Sequence, residues 1–281
     1  MRSRGWIGNG VLVLALLLAA GAVRACGVES DCRVGERLYR ISLPEGATGP
    51  VGAVVWGHGY RGTAAGVMRN GSLRRMVHEA GLALIALEAK GGGWDIPNNP
   101  RDMASTGAAE FAYVEAVIAD AEARFGIDRG QLVASGFSAG GMLAWNLACA
   151  RPELFAGVVP VSGTFWQAPP EACVTPVVSL VHVHGDSDQT VPLDGRAIRQ
   201  TRQGKVSEAL EMYRVLGGFG AEIERRDGPL RCREARNAEG ALLAFCLFEG
   251  GHSFRTEYLA HGLARLRETG ALCAGEGCDG G

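Results

Sequence analysis

The chain has 281 residues, a formal net charge of −2 and a hydrophobic fraction of 47%, enough apolar material for the core of a full α/β domain. No basic block stands out, which argues against nucleic acid as a main partner. Eight cysteines suit disulfides in an oxidising compartment. With no C-x-x-C and no cysteine pair beside a histidine pair, neither a metal nor another cofactor is expected.

The first 25 residues read as a targeting segment. Arg2 and Arg4 form a positive start, and residues 11–20 are an unbroken apolar run too short to span a bilayer comfortably. Val23, Arg24 and Ala25 then offer a cleavage site before Cys26. A secretory signal peptide over 1–25 is therefore expected, with a secreted or periplasmic chain and no membrane contact after cleavage. An uncleaved anchor and a lipoprotein are the lesser alternatives. Residues 26–281 carry no repeat or low-complexity linker and are read as a single catalytic domain. Proximity pairs Cys26 with Cys32, Cys273 with Cys278, and Cys232 with Cys246 as the staple of a hairpin. Cys149 and Cys173 remain.

Residues 37–43 alternate as an antiparallel-looking strand, and 44–50 form a turn rich in proline and glycine. Residues 51–56 are nearly continuous apolar, the mark of a strand covered on both faces, and end in Gly57-His58-Gly59-Tyr60. A helix over 72–80 leads to a buried strand over 82–87. Residues 91–100 form a long loop in which Trp94 is either a core plug or a binding surface. A helix over 110–125 presents Phe111, Val114, Val117, Ile118 and Ala121 on one face. Further strands are expected at 132–137, around Val158–Val161 and at 177–183 and 241–248, with helices at 207–216 and 257–266. Alternating strands and helices imply an α/β fold, a mostly parallel central sheet with helices on both faces. Ligands then sit at the carboxyl ends of the strands.

Gly136-Phe137-Ser138-Ala139-Gly140 is a G-x-S-x-G between a buried strand and a helix. That is the setting of a nucleophile elbow, in which the turn lifts the serine hydroxyl clear of the sheet and the helix start offers N–H groups beside it. A Gly-rich turn that happens to hold a serine is the bland alternative. A serine hydroxyl needs a base, and the base an orienting acid; behind a strand–elbow–helix of this kind the order is Ser, Asp or Glu, His. His58 and His78 come too early. His182 and His184 share one strand face and read as packed, hydrogen-bonded residues, and His261 falls within a helix. His252, after Gly250-Gly251 and the last strand, is the expected base. Asp186 and Asp188 both lie on the loop leaving the preceding strand, and spacing does not separate them.

The segments Gly-Phe-Ser-Ala-Gly-Gly-Met, His-Gly-Asp-Ser-Asp-Gln-Thr-Val-Pro and Gly-Gly-His-Ser-Phe, in that order after a strand ending His-Gly, resemble the secreted polyhydroxybutyrate depolymerase and feruloyl esterase family of α/β-hydrolases. The resemblance runs from about residue 37 to the final helix. It implies the α/β-hydrolase fold and a triad of Ser138, Asp188 and His252, the acid being the aspartate three residues after His-Gly. The segment His-Gly-Tyr-Arg-Gly departs from the smaller residues of many relatives, and no appended polymer-binding segment is visible. The expected reaction is hydrolysis of short hydroxyalkanoate, feruloyl or acetyl esters, free or on a polyester or polysaccharide. The N–H groups of Ala139 and Tyr60 are the expected oxyanion donors, with Tyr60 and Trp94 lining the substrate pocket. A serine peptidase on the same fold and a non-catalytic binding protein are the competing readings.

Overall fold

A computed structural model describes residues 26–273; the expected signal peptide lies outside the described residues. The chain opens with β1 (Cys32–Val34) and β2 (Arg37–Ser42), then β3 (Val51–Gly57), α1 (Ala64–Arg69), α2 (Gly71–Glu79) and β4 (Ala83–Leu87). The helix α3 (Ala108–Phe125) leads to β5 (Ile127–Phe137), α4 (Ala139–Ala150), β6 (Gly157–Val161) and β7 (Ser179–Gly185). A short ribbon follows, β8 (Arg196–Ile198) and β9 (Thr201–Gln203), then α5 (Val206–Leu216). The last elements are β10 (Ile223–Asp227), β11 (Leu230–Arg236), β12 (Leu242–Phe248) and α6 (Thr256–Glu268).

Ten of these strands form one sheet in the order β1-β2-β4-β3-β5-β6-β7-β12-β11-β10. From β4 to β12 every neighbouring pair is parallel, and both ends are finished by antiparallel strands. The parallel strands are apolar throughout because both faces are covered: every residue of β4 and β7 is buried. Side chains alternate between two cores. Val54, Trp56 and Leu84 share one with Met68, Val77 and Leu259 of α1, α2 and α6. Val55 and Ile85 share the other with Val114, Trp145 and Tyr213 of α3, α4 and α5. The expected α/β-hydrolase architecture, with helices on both faces, is what the chain adopts.

The helices begin and end where their caps dictate. Thr63 Oγ1 accepts the Gly66 N–H at the start of α1 (2.9 Å) and Asn70 Oδ1 that of Leu73 in α2 (3.1 Å). The Gly126 N–H closes α3 onto Glu122 O (3.1 Å). The antiparallel β10 and the short β8–β9 ribbon were not foreseen. Every residue of β10 is exposed, so no apolar alternation marks it.

The chain passes from β3 to β4 on one side and returns to β5 on the other, so the strand order reverses beside β3. A crevice opens at the carboxyl ends of strands at such a point. Here β3 and β5 end in register at Gly57 and Gly136, and α4 starts against them. A methyl group at Gly140 would collide with Gly57 O, because the helix backbone lies directly on the strand end. This close approach is what seats the first turn of α4 at the sheet edge.

Cys26–Cys32 and Cys232–Cys246 are joined as disulfides, as expected, and so are Cys149 and Cys173, the pair left by elimination. Cys232–Cys246 links residues directly opposite on β11 and β12, the expected hairpin staple. The Cys273–Cys278 pair falls partly outside the described residues. No helix of the described residues is long and apolar enough to cross a membrane.

Gly140→Ala is expected to cost about 3 kcal/mol or more, at the upper end for overpacking, whereas Gly49→Ala, with open space around it, stays within about 0.5 kcal/mol. Urea denaturation of both variants checks this, and similar midpoints would contradict the close approach.

Candidate active site

Ser138 sits between β5 and α4 with φ 60° and ψ −119°, a positive φ that costs a non-glycine residue energy and persists only where its surroundings enforce it. They do so here. Its N–H donates to Val161 O at the end of β6 (2.9 Å), and its carbonyl accepts the Met142 N–H in the first turn of α4 (3.0 Å). The half-buried serine is thereby held at the helix N-terminus, where the macrodipole favours developing negative charge.

The acid and base come from adjoining parallel strands. Gly185 ends β7 opposite Phe248 of β12, so their following loops run side by side. Asp186 N donates to Phe248 O and Ser187 N to Gly250 O (both 3.0 Å). A side chain at Gly185 would lie 2.5 Å from the Gly250 and Gly251 carbonyls, so only glycine lets the second loop cross there. Phe254 then anchors that loop, its ring 5.0 Å from Trp56 and 6.0 Å from Phe137.

Sequence spacing left Asp186 and Asp188 open; their surroundings separate them. The exposed Asp186 binds Arg231 (2.7 Å) and the Gly250 N–H (3.1 Å), bracing the two loops. The side chain of Asp188 has no exposed surface. Its Oδ1 accepts the Thr190 and Val191 N–H groups (2.8 and 2.9 Å), and its Oδ2 lies 2.6 Å from His252 Nδ1 and 3.4 Å from His184 Nε2. Burial alone would raise the Asp188 pKa. The bonds from His184, His252 and the two backbone amides outweigh it and hold the carboxyl well below the usual carboxylate range. An ionised Asp188 accepts, so His252 Nδ1 carries a proton, and in the neutral ring Nε2 is the nitrogen left to act as base. The His252 ring packs 4.6 Å from Phe137, the residue before Ser138. Among the described residues no hydrogen bond joins Ser138 to His252; in ligand-free sites such bonds are often long and tighten with substrate.

His182 and His184, read from the sequence as packed residues, form a directed relay that spacing did not reveal. Trp145 Nε1 can only donate, and it lies 3.1 Å from His182 Nδ1. His182 therefore carries its proton on Nε2 and donates to His184 Nδ1 (2.9 Å). His184 in turn donates from Nε2 to Val191 O (2.8 Å), beside Asp188 Oδ2. All three side chains are buried. The acid loop is thus tied to the core by a chain whose direction one indole fixes.

The loop after β3 closes the other side. His58 is buried, and its Nε2 accepts the Ala89 N–H (3.1 Å), so its Nδ1 proton turns to Gly59 O (2.8 Å). Trp94 is buried too. Its indole donates to His58 O (2.9 Å), and its ring packs 4.8 Å from the imidazole. Trp94 is therefore both a plug that bolts two loops together and a wall of the cleft. That cleft, about 350 Å³, opens beside Ser138 and Ala139 and is also lined by Tyr60, Trp94, Met142 and Trp166. Tyr60 is 61% exposed. A Cβ on Gly59 would lie 3.7 Å from Ser138 Cβ, so this loop borders the serine directly.

The Cys232, Cys246 and His261 donor atoms lie within 4.8 Å of one another, and Asp227 holds His261 Nδ1 (2.7 Å). The two sulfurs are bonded to each other and offer no thiolate to a metal.

Burial, reinforced by His184, holds the His182 pKa well below its ordinary 6.5. Burial, partly opposed by Asp227, lowers that of His261. Below about pH 6.5 the unfolded chain protonates these histidines while the folded one does not. The unfolded state then binds more protons, and stability falls with pH by up to about 1.4 kcal/mol per unit for each such histidine. His182→Gln keeps an acceptor for Trp145 and a donor for His184, and is expected to flatten the stability slope between about pH 6.5 and 4.5. Denaturant unfolding across that range checks it; an unchanged slope would contradict a neutral His182.

Residues 96–217 match the family described as Phospholipase/Carboxylesterase. The putative esterase NocK of Nocardia uniformis subsp. tsuyamanensis is 34% identical over 166 residues, 57% of this chain and 47% of that protein. The probable feruloyl esterase C of Aspergillus flavus is 27% identical over 169 residues, 60% of this chain and 56% of that protein. The chain thus spans about half the length of the curated relatives it matches. Among solved structures, an acetyl xylan esterase from Aspergillus awamori superposes with a TM-score of 0.62 at 16% identity, covering 84% of this chain and 94% of that one. A phospholipase/carboxylesterase from Dyadobacter fermentans DSM 18053 gives 0.57 at 17%, covering 84% and 99%. By fold the chain is an α/β-hydrolase, and in sequence it is related to proteins named as esterases and feruloyl esterases.

Proposed function

We propose that this chain is an exported serine esterase whose residues 26–281 form one catalytic domain, and that it cleaves feruloyl, acetyl or short hydroxyalkanoate esters through an acyl-enzyme. The observation that carries the reading is the 2.6 Å contact between a buried, ionised Asp188 and His252 Nδ1, with the His252 ring against the residue before a strained Ser138. Ser138 attacks the ester carbonyl as His252 Nε2 takes its proton, and Asp188 stabilises the imidazolium. His252 then returns the proton to the leaving alkoxide, and water repeats the sequence on the acyl-enzyme. The Ala139 and Tyr60 N–H groups receive the oxyanion; each such donor is worth about 10²–10³ in kcat. In support, Ala139 opens α4 and the Gly59–Tyr60 loop lies against Ser138. Export is supported by the positive-then-apolar start of the sequence and by three disulfides.

Ser138→Ala is expected to lower turnover of 4-nitrophenyl butyrate by about 10⁴ or more and to abolish labelling by a fluorophosphonate probe. Retained turnover, or faster cleavage of peptide amides than of esters by the wild type, would overturn the reading. Asp188→Asn should cost about 10⁴ in kcat, as a wrong histidine tautomer does elsewhere. Asp186→Asn, which loosens only the Arg231 and Gly250 contacts, should cost less than about 10-fold. Equal losses would leave the acid to another residue.

A further inference from the structure

The cleft beside Ser138 has a feature that neither the fold nor the triad requires. Arg101, Arg196 and Arg199 line it, and no aspartate or glutamate does. The chain as a whole carries a net charge of −2, so the concentration of positive charge is local. These arginines are not neutralised. Arg101 donates to the carbonyls of Lys90 (2.9 Å), Gly91 (3.3 Å) and Gly93, and Arg196 to the amide oxygen of Gln203 (3.2 Å). Among the described residues none of the three has a carboxylate within ion-pair distance, although Arg37, Arg151 and Arg265 elsewhere do. Asp95 accepts from Asn99, Asp102 from the Ala104 N–H, and Asp188 from the Thr190 and Val191 N–H groups. A fourth arginine, Arg61, stands over the exposed Tyr60 ring (5.2 Å).

Arg196 and Arg199 are carried by the β8–β9 ribbon, which is fixed to the opposite wall rather than free. Thr201 Oγ1 donates to Asn98 O (3.0 Å), and Gln167 N donates to Arg202 O (2.7 Å). Arg199 lies in the turn of the ribbon with φ 53°. The arginines therefore face the cleft from two walls joined to each other, with Trp94, Trp166 and Ile198 supplying the apolar part.

Uncompensated guanidinium groups at the edge of a low-dielectric cleft raise the local concentration of anions, and the planar fork of arginine matches a carboxylate. We propose that this site selects esters that carry a carboxylate, on either the acyl or the alcohol side of the scissile bond. The proposal deepens the esterase reading and rests on it. The carboxylate takes no part in bond making. It is held by Arg196 and Arg199 while the ester carbonyl lies at Ser138, so selection falls mainly on KM.

Two matched pairs test it, each corrected for uncatalysed hydrolysis. 4-Nitrophenyl hemiglutarate against 4-nitrophenyl hexanoate places the anion on the acyl side; 4-acetoxybenzoate against 4-methylphenyl acetate places it on the alcohol side. We expect kcat/KM for the anionic member of at least one pair to exceed its partner's by about 10-fold or more. That ratio should fall towards one in the Arg196→Gln/Arg199→Gln double variant, and when salt is raised from about 20 to 500 mM. Ratios at or below one in both pairs overturn the proposal, as does a preference that the double variant retains while circular dichroism matches the wild type. If no ester is turned over, the esterase reading fails separately, and tryptophan fluorescence of the wild type decides the inference. Monoethyl glutarate binding about 10-fold tighter than ethyl hexanoate sustains it, and equal binding removes it.

Discussion

A carboxylate with no exposed surface must either take a proton or be surrounded by donors, and Asp188 is surrounded. Two backbone amides occupy one oxygen, and two histidines lie at the other. Each donor fixes something different. The Thr190 and Val191 amides close the turn that aims the side chain. His184 connects that turn to Trp145, deep in the core. His252 receives its tautomer from the same oxygen. Removing the Thr190, Val191 or His252 donor would shift the balance between burial and hydrogen bonding that keeps the acid ionised, with His184 holding the turn in place.

The other half of the site rests on packing instead of charge. Ser138 keeps an unfavourable φ because β6 holds its N–H and α4 holds its carbonyl. The start of α4 meets the end of β3 backbone to backbone at Gly57 and Gly140, and the end of β6 at Gly141 and Val161. Strain at one residue is thus balanced by dense contact around it, which is how a sheet and helix with large buried faces can support a locally unfavourable turn. The hydrogen-bonded half and the packed half meet where the His252 ring lies on Phe137. An aromatic at 137 therefore belongs to the site even though it has no polar chemistry.

How much of this could be read from the sequence depends on the reach of each interaction. The parallel strands were legible because burial on both faces leaves an apolar run, as in β4 and β7. The elbow was legible because its backbone demands glycine locally. Asp186 and Asp188 were not separable from spacing, since the difference between them lies in partners roughly 64 residues away, Gly250 and His252. The relay from Trp145 to His184 spans 37 residues in its first bond and follows from donor chemistry that no periodicity encodes. The edge strand β10 and the β8–β9 ribbon escaped for the opposite reason. They are short or exposed, and their charged side chains resemble those of loops.

That division has a physical consequence for how such a chain diversifies. Elements that orient Ser138, Asp188 and His252 are constrained by burial, by close backbone approach and by filled hydrogen-bond capacity. The β8–β9 ribbon and the loop that carries Trp94 and Arg101 meet none of those constraints in the sheet. They need only hold each other, through contacts such as that of Thr201 with Asn98. Their outward side chains can change without disturbing the carboxylate that organises the chemistry. Arg101, Arg196 and Arg199 stand on these two segments, apart from the elements that place Ser138, Asp188 and His252.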